Sequence, residues 1–447
     1  MTSITATNAI YKYTKFVAQT AYIFGFPAVV QYIAMTNDLV EKAPMNTMYY
    51  ATGISTPTYS PFLNGGQSPD MLYATAWLDL KNTNIILKTP DTRMATRWYT
   101  VQLLDAFSNV IKNVPGDDKR RKSRKYLIVG PNSILTESSP NVPDDVKLIK
   151  CSSNIVYLVG RIVVKGINDL SAATAIMNEI TILETNPGAA VLEPAQLSTS
   201  VYTSLNFFAS LMNIINYNSY SIEEKVMINL FKGIGLDPTK SFVPSALNTN
   251  LQNAFNDAIS TAYNLIIPFG YQYAQGTINI NNWIGSTKLG IWDNDYLRRA
   301  YSATEGVAAN VVTEQFYATT SKDISGNTLD TTINNYKIHF ETSQLPSLNP
   351  DWGYFSITLY EHTNNGLQFY DNQNNIYSVG THTGTLQYNV DGTLDIYIQN
   401  NAPSNETNAI NNWIPAPLGP FYLKYRLYSP TFIGISQFVA PGVEINN

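Results

Sequence analysis

The period of the hydrophobic pattern changes three times along the chain, and this constrains its fold more than any single motif. In residues 1–45 the apolar side chains recur at helical spacing, which predicts an N-terminal helical segment. The residues with this spacing are Ile10, Phe16, Val17 and Ala21. Pro27 has no backbone N–H, so we expect it to break or kink the helix.

The period becomes two in residues 46–167, where short runs of alternating apolar and polar residues are separated by Pro, Gly and Asn. Such runs predict β-strands. The candidates are residues 72–80, 84–88, 98–104, 126–130 and 156–164. Short strands with this spacing of turn residues are typical of a β-sandwich.

Helical spacing returns in residues 168–270, and strand-like alternation follows in residues 271–447. One apolar stripe predicts a helix over residues 170–183: Leu170, Ala173, Ile176, Met177, Ile180 and Leu183. Later strand candidates are residues 354–360, 394–398 and 421–428, with a hairpin-type turn at Asp391-Gly392. The pattern therefore predicts a mainly β protein with a helical insertion and a second sandwich or jelly roll.

Composition excludes several classes of protein. Of the 447 residues, 44% are hydrophobic and 14% are charged, whereas a typical soluble domain has about 25% charged residues. The net charge is −5, so no global basic field points to nucleic acid. Cys151 is the single cysteine, which excludes an intrachain disulfide.

Abundant Asn, Ile, Tyr and Lys are typical of an AT-rich genome, such as that of a giant virus, a protist or a low-GC bacterium.

The N-terminus lacks a basic stretch followed by an apolar core, so we expect no signal peptide. No run of about 18 uninterrupted apolar residues occurs, so we expect no membrane span. These features predict a soluble protein with a cytoplasmic or virion-associated location.

Ordered motifs in both β regions carry a resemblance to a known family. In the first region they are Ser68-Pro69-Asp70-Met71-Leu72-Tyr73, Pro90-Asp91-Thr92, Trp98 to Asn109, Tyr126 to Pro131 and Gly160-Arg161-Ile162. In the second they are Arg298-Arg299-Ala300, Tyr317, Tyr354 to Tyr360, Asp391-Gly392, Asn412 to Pro417 and Arg426 to Pro430. The chain resembles the DUF1254/DUF1214 family, named for its unknown function.

The resemblance implies an immunoglobulin-like β-sandwich (46–167), a helical domain (168–270), a C-terminal jelly roll (271–447) and assembly as a homotrimer. The chain departs from the family at Ser68-Pro69-Asp70-Met71, where members often carry Asn-x-Asp-Thr. The aspartate is kept but its polar neighbours change. Many bacterial relatives also look exported, whereas this chain shows no leader.

Polar residues within these motifs are candidates for a ligand pocket: Asp70, Tyr73, Asp105, Asn109, Arg298 and Arg426. In that pocket Asp70 would act as a hydrogen-bond acceptor or general base, and the arginines would recognise carboxylate or phosphate. The alternative is structural. Aspartate and asparagine also close turns and satisfy backbone groups at strand ends, and arginines also pair across domain interfaces.

No cofactor or metal motif occurs in the sequence. The three histidines, His339, His362 and His382, form no zinc-type pattern. Neither a nucleophile elbow nor a glycine-rich phosphate loop occurs. Residues 323–330 superficially resemble a calcium loop but lack its closing glutamate, so we interpret them as a β-turn.

A charge-poor chain concentrates basic residues in one predicted loop: Lys119, Arg120, Arg121, Lys122, Arg124 and Lys125. A solvated loop paired with Asp117 and Asp118 is one interpretation, binding of an anionic partner is a second, and nuclear targeting is a third. Three hypotheses for function result. The first is a non-catalytic binding or assembly protein, a virion component included. The second is a carboxylate-dependent hydrolase with its pocket between the β domains, and the third is a polyanion binder.

Overall fold

The computed structural model describes residues 6–58, 67–93, 96–116, 122–140, 142–272, 275–363, 366–403 and 409–446. These residues form four β-sheets and a group of helices. The α-helices are α1 (Ala6–Glu41), α2 (Leu170–Met177), α3 (Asn206–Tyr217), α4 (Ile222–Lys232), α5 (Thr249–Thr261), α6 (Tyr296–Glu305) and α7 (Phe432–Ser436).

Helix α1 runs through Pro27 without ending there, so the predicted break is absent. The seven residues from Phe24 to Val30 are all buried, so the helix is covered on every side at this point. We attribute its continuation to that burial, since an interior proline costs about 3 kcal/mol. Within the described residues, α1 alone is long and apolar enough to cross a membrane, and 67% of its most apolar window is buried inside the fold.

One hydrophobic core joins α1 to α3, α4, α5 and α6. Aromatic rings form a connected group within it, packed in edge-to-face and tilted pairs, as Phe208 packs edge-on to Phe255 at 4.9 Å between centroids. The N-terminal segment and the later helical region therefore bury their apolar stripes in the same core.

The helix predicted over residues 170–183 ends at Met177, and Thr181–Glu184 form a strand instead. Ile180, Thr181 and Ile182 are β-branched, and such residues favour a pleated conformation. Ile180 is buried in the core of the first β region. That region therefore extends to residue 184.

The first β region consists of two sheets that share a core. Its strands are β1 (Tyr49–Tyr50), β2 (Met71–Asp79), β3 (Ile85–Lys88), β4 (Tyr99–Leu104), β5 (Val110–Val114), β6 (Lys125–Val129), β7 (Val146–Lys150), β8 (Ile155–Val163) and β9 (Thr181–Glu184). One sheet has the order β1-β2-β8-β4-β5 and the other β7-β6-β3-β9. Every residue of β2 and β8 is buried, because the sandwich core covers one face and other parts of the chain cover the opposite face.

The second β region also consists of two sheets around one core. Its strands are β10 (Thr277–Ile280), β11 (Trp283–Ser286), β12 (Gln315–Thr320), β13 (Tyr336–Phe340), β14 (Tyr354–Thr363), β15 (Gly366–Gln368), β16 (Ser378–Gly380), β17 (Leu394–Gln399), β18 (Trp413–Pro415), β19 (Tyr422–Tyr428) and β20 (Val443–Ile445). The larger sheet has the order β10-β11-β12-β19-β14-β15, with β16 also on β14, and the smaller has β18-β17-β13-β20. The coarse prediction, mostly β with helical parts, is confirmed.

The two β regions meet along a contact that we call the junction, defined by Tyr73, Trp98, Tyr157, Tyr354 and Tyr428. The Trp98 ring lies edge-on to the Tyr428 ring at 5.2 Å, and Tyr428 stacks on Tyr354 at 4.0 Å. The outer face of the β2/β8 sheet is therefore buried against the larger sheet of the second region.

Candidate functional site

Asp70 lies immediately before β2 and is 4% exposed. Its Oδ2 accepts a hydrogen bond from Ser68 Oγ at 3.2 Å, and its Oδ1 accepts one from Ser378 Oγ. His382 Nε2 lies 3.3 Å from the same Oδ1. Ser378 begins β16, and His382 lies in the one-turn helix Thr381–Thr383 that follows. The carboxylate therefore bridges the two β regions.

Burial alone would raise the pKa of the Asp70 carboxyl group, but the charge and hydrogen bond of His382 lower it, as do Ser378 and Ser356. The net effect is a pKa well below the ordinary value, so Asp70 is ionised at neutral pH. A general base works best with a pKa near the working pH. Asp70 is therefore suited to orienting and neutralising its neighbours rather than to accepting a proton.

His382 is a member of this cluster that sequence reasoning did not single out. Its Nε2 faces Asp70, whereas its buried Nδ1 has no hydrogen-bond partner among the described residues. Gly380 leaves the space for this ring, since a Cβ there would lie 2.8 Å from Nδ1 and would also collide with the backbone of β14. No local motif could have indicated that this segment contacts Asp70, because the two are far apart in the sequence. Ser378, for example, follows Asp70 by 308 residues.

Arg426 and Tyr73 lie in the same cluster. Arg426 is 1% exposed and donates hydrogen bonds to Thr358 Oγ1 at 2.7 Å and to the Tyr360 hydroxyl at 2.6 Å. It also donates to the Gln67 carbonyl oxygen at 3.2 Å. Burial would lower the pKa of Arg426, but the opposing effects of Tyr360, Tyr428 and Asp70 are larger, so its pKa lies above the ordinary value. The Tyr73 hydroxyl accepts from the Ser68 N–H at 3.2 Å. The structure therefore gathers three of the six predicted pocket residues at the junction.

Asp105 and Asn109 lie in a different place, the turn between β4 and β5. Asp105 accepts hydrogen bonds from the N–H groups of Phe107 and Asn109, each at 2.9 Å, and from Asn109 Nδ2 at 2.9 Å. Burial raises the pKa of Asp105, against the lowering effect of these bonds. This geometry matches the structural alternative, in which the two residues close a turn.

Arg298 lies at the start of α6 and shares no hydrogen-bond partner with Asp70. Its guanidinium donates to the Gln275 carbonyl at 2.9 Å and to the Trp292 carbonyl at 3.3 Å, and lies 3.8 Å from Asp295. Burial lowers its pKa, with Asp295 opposing the change. The six predicted residues are thus divided among three locations.

The remaining predicted features, the other histidines and the calcium-like loop, lie outside this cluster. His339 lies on β13, and its Nδ1 lies 2.7 Å from Asp395 Oδ1, a contact that raises the pKa of the histidine. The side chain of His362 lies outside the described residues. Asp323 accepts from the Asn327 N–H at 2.8 Å and closes the predicted β-turn. No group of three or more His, Cys, Asp or Glu side chains in the described parts of the chain could hold a metal ion.

Three basic-loop residues, Lys119, Arg120 and Arg121, lie outside the described residues, whereas Lys122, Arg124 and Lys125 lie within them. Lys125 forms an exposed ion pair with Asp145 at 3.2 Å. Beside this segment lies a groove of about 470 Å³. Its charged lining residues are Lys112, Arg124, Glu137 and Lys147. The groove therefore carries three cations and one carboxylate.

A second cavity, of about 250 Å³, lies between α1, α3 and the first β region. Three aromatic rings and several amides line it: Tyr32, Trp77, Tyr217, Gln31, Asn213, Asn216 and Asn218. Lys81 is its single charged lining residue, and its ammonium lies 4.4 Å from the centre of the Tyr217 ring. Sequence reasoning missed this cavity because its walls come from three separate regions.

Comparison with known proteins gives a family and a fold. Residues 45–184 match the DUF1254 family and residues 314–432 match the DUF1214 family, both described as proteins of unknown function. The structure of the VPA0106 protein from Vibrio parahaemolyticus is similar to this one, with a TM-score of 0.71 and 19% sequence identity. The alignment covers 97% of this chain and 100% of the Vibrio chain. The alignment with an uncharacterized protein from Burkholderia cenocepacia covers 99% of this chain and 96% of that protein, with a TM-score of 0.47 and 12% sequence identity. No curated protein matches the chain.

Proposed function

The chain belongs to the family of proteins that combine a DUF1254 with a DUF1214 domain, and we propose that it is a non-catalytic binding protein. The ligand is a small, uncharged polar molecule, and its site is the cavity between α1, α3 and the first β region. The observation that carries this proposal is the composition of the cavity wall, which combines aromatic faces with amide groups and a single cation.

The wall is largely fixed before any ligand enters. Gln31 Nε2 donates to the Asp105 carbonyl at 2.6 Å, and Trp77 Nε1 donates to Asp38 at 2.9 Å. Asn218 Oδ1 accepts from the Ile155 N–H at 2.8 Å. These hydrogen bonds fix the orientation of the lining side chains. The wall therefore presents apolar surface together with polar groups of fixed orientation, as preformed ligand sites do. The volume of about 250 Å³ lies below the usual range for drug-sized ligands, so the ligand must be small.

Two lining amides remain available to a ligand. The side chains of Asn213 and Asn216, both exposed on α3, make no hydrogen bond with the described residues. An amide offers both a donor and an acceptor. We therefore assign to these residues the polar contacts that orient the ligand, and to Tyr32 and Trp77 its apolar contacts.

Replacing both Asn213 and Asn216 with alanine should weaken binding at least about tenfold, since each lost hydrogen bond contributes about 1 kcal/mol. The measurement is ligand-observed NMR with a panel of monosaccharides, polyols and small amides, followed by titration of the hits. Asn206→Ala, at an exposed position in the same helix, is the matched control and should bind as the wild type does. A panel without hits, or hits that the double variant binds equally well, would contradict the proposal.

A hydrolase that works through Asp70 and Asp105 has less support. Asp70 is held ionised and is hydrogen-bonded through both oxygens, and Asp105 closes a turn elsewhere. Paired catalytic carboxylates need to flank one reacting group, and these two share no partner. The assembly part of our proposal has two separate supports. The homotrimer is supported by the family resemblance alone, and the association with virions is supported by the predicted sandwich domains and a composition rich in Asn, Thr and Tyr.

One observation favours a second candidate function, polyanion binding. Lys112, Arg124 and Lys147 line the groove beside the basic segment, with Glu137 as the opposing charge. Lys112 and Lys147 are exposed, so a chain of negative groups can reach both. This arrangement concentrates positive potential on a protein whose net charge is −5.

We expect the affinity for a short single-stranded oligonucleotide to fall steeply as salt is raised. Replacing Lys112 and Lys147 with alanine should reduce the slope of log affinity against log salt by about 1.4, or roughly 0.7 for each phosphate contact on a single strand. Fluorescence anisotropy across a salt series measures it. Lys232→Ala with Lys240→Ala, on the helical region, is the control. An unchanged slope in the groove variant would reject this function.

A further inference from the structure

The groove beside the basic segment lies where the sandwich of the first β region ends in two outermost strands. Strand β5 ends the order β1-β2-β8-β4-β5, and β7 begins the order β7-β6-β3-β9. Among the described strands, β5 pairs with β4 alone and β7 with β6 alone. Residues of both β5 and β7 line the groove, whose volume is about 470 Å³. The groove therefore lies between two strands that each have an open edge.

The groove runs along the edge of β7. Lys147, Leu148 and Ile149, which are consecutive in this strand, all line it. Consecutive side chains of a strand point to opposite faces of the sheet. Ile149 accordingly packs in the core between the two sheets, whereas Leu148 packs in a small cluster on the outer face. A groove that touches both faces of the strand must pass along its edge.

The backbone of β7 has unpaired groups on this edge. The Cys151 N–H, just after the strand, donates to the Val129 carbonyl of β6 at 2.8 Å, whereas the Val146 N–H donates to the Pro143 carbonyl outside the sheet at 3.0 Å. Backbone groups of successive residues alternate between the two edges of a strand, so Leu148 points away from β6, as Val146 does. In the described parts of the chain, the N–H and carbonyl of Leu148 make no hydrogen bond. Such an edge can pair with a strand of another chain.

The charges along the groove decide which chain can pair there. Lys112, Arg124 and Lys147 line it against one carboxylate, Glu137. Lys112 and Lys147 are exposed and form no ion pair with any residue that the structure describes. Lys147 and Lys150, both exposed on β7, would repel the same strand of a second copy. An extended segment with acidic side chains has the complementary charge.

We propose that this groove binds an extended acidic segment of a partner protein, which adds as a strand to the open edge of β7. Main-chain hydrogen bonds supply affinity in this mode of recognition, and side-chain contacts supply specificity. A nucleic acid has no row of N–H and carbonyl groups to pair with Leu148. Tyr126, the one aromatic lining residue in the described chain, is 4% exposed and offers no free ring to a base. The inference rests on polyanion binding, our second proposed function, and names the class of polyanion.

The test is fluorescence anisotropy of a labelled peptide in which glutamate and valine alternate, about eight residues long so that it spans β7. We expect saturable binding to the full chain. The same peptide with N-methyl groups on its two central residues keeps every charge, but at that point neither edge can donate a hydrogen bond. It should bind about fivefold or more weakly, the factor for one lost hydrogen bond.

Lys147→Glu should weaken binding of the unmethylated peptide about tenfold or more, because it replaces an attraction by a repulsion. Lys240→Glu, at an exposed lysine of the helical region, is the matched control and should bind as the wild type does. Equal binding by Lys147→Glu and the wild type would place the peptide elsewhere and overturn the inference.

Amide hydrogen exchange of the unaltered protein, resolved to single residues by fragmentation mass spectrometry, tests the strand pairing itself. Saturating peptide should slow exchange of the Leu148 amide about tenfold or more, since that amide gains a hydrogen bond. The Ile149 amide, which faces β6 by the same alternation, is the control within the strand and should be unaffected. A single-stranded oligonucleotide of the same charge should leave the Leu148 amide unchanged.

The possible failures of the inference and of polyanion binding can be told apart. The inference alone is overturned if the N-methylated peptide binds as tightly as the unmethylated one, if saturating peptide leaves exchange of the Leu148 amide unchanged, or if only the oligonucleotide binds. In those cases salt-dependent binding at the groove would still support a polyanion function. If neither the peptide nor the oligonucleotide binds, both are rejected.

Discussion

Replacing Asp70 with asparagine should lower the free energy of unfolding by about 3–5 kcal/mol, the range for removing one partner of a buried ion pair. The carboxylate is 4% exposed and accepts from Ser68 and Ser378 while facing His382 at 3.3 Å. Asparagine keeps the shape but removes the charge, so the cations of the junction lose their buried counter-charge. Urea denaturation at pH 7 measures the change.

Asp91→Asn is the control for this variant, since Asp91 pairs with Arg93 on the surface, where water and salt screen the interaction. We expect it to have little effect. If Asp70→Asn destabilised the protein no more than Asp91→Asn does, the carboxylate would not hold the two β regions together.

The free energy of unfolding should also depend on pH differently in the wild type and in Asp70→Asn. The pKa of Asp70 is lowered on folding from its ordinary value of 3.8. A carboxyl group of this kind stabilises the fold above pH 3.8, and that contribution is lost as the pH falls from 3.8 toward the folded-state pKa. The wild type should therefore lose more stability than Asp70→Asn does over this acidic range.

The strands could be predicted from the sequence because a two-residue period reports a local property, the alternation of buried and exposed faces. The run predicted at 72–80 is β2, Met71–Asp79, and the run at 156–164 is β8, Ile155–Val163. The sequence did not reveal that both strands are buried on both faces. That depends on the second β region, which covers them from far along the chain.

The errors have a common cause, which is that tertiary burial outweighs local preference. Pro27 does not end α1, because α1 passes through the middle of the helical core. The apolar stripe over residues 170–183 fits a helix, yet Thr181–Glu184 pair with β3 instead. At these positions, helical periodicity alone could not distinguish the two conformations.

The candidate site was predicted in part. Asp70, Tyr73 and Arg426 were found because they stand in family-like motifs, and the structure brings them together. Ser378 and His382 could not be found, since nothing near them in the sequence indicates a partner before β2.

Arg299 joins three parts of the protein through one buried guanidinium. It is 1% exposed and donates to the Phe24 carbonyl of α1 at 3.0 Å and to Glu224 of α4 at 3.3 Å. Its charge also lies 5.4 Å from the ring of Phe107 in the first β region. The motif Arg298-Arg299-Ala300 by itself fits either recognition of an anion or pairing inside the fold, and these contacts of Arg299 match the second interpretation.

Replacing Arg299 with methionine should lower the free energy of unfolding by about 3–5 kcal/mol, because Glu224 then keeps a largely buried charge without its partner. Combining Arg299→Met with Glu224→Gln should recover about 1 kcal/mol or more, since residues in one ion pair are energetically coupled. Arg93→Met, which breaks the exposed pair with Asp91, is the control and should change stability little. If the double variant recovered nothing, the loss would come from the packing of Arg299 on Phe24 and Phe107 rather than from its charge.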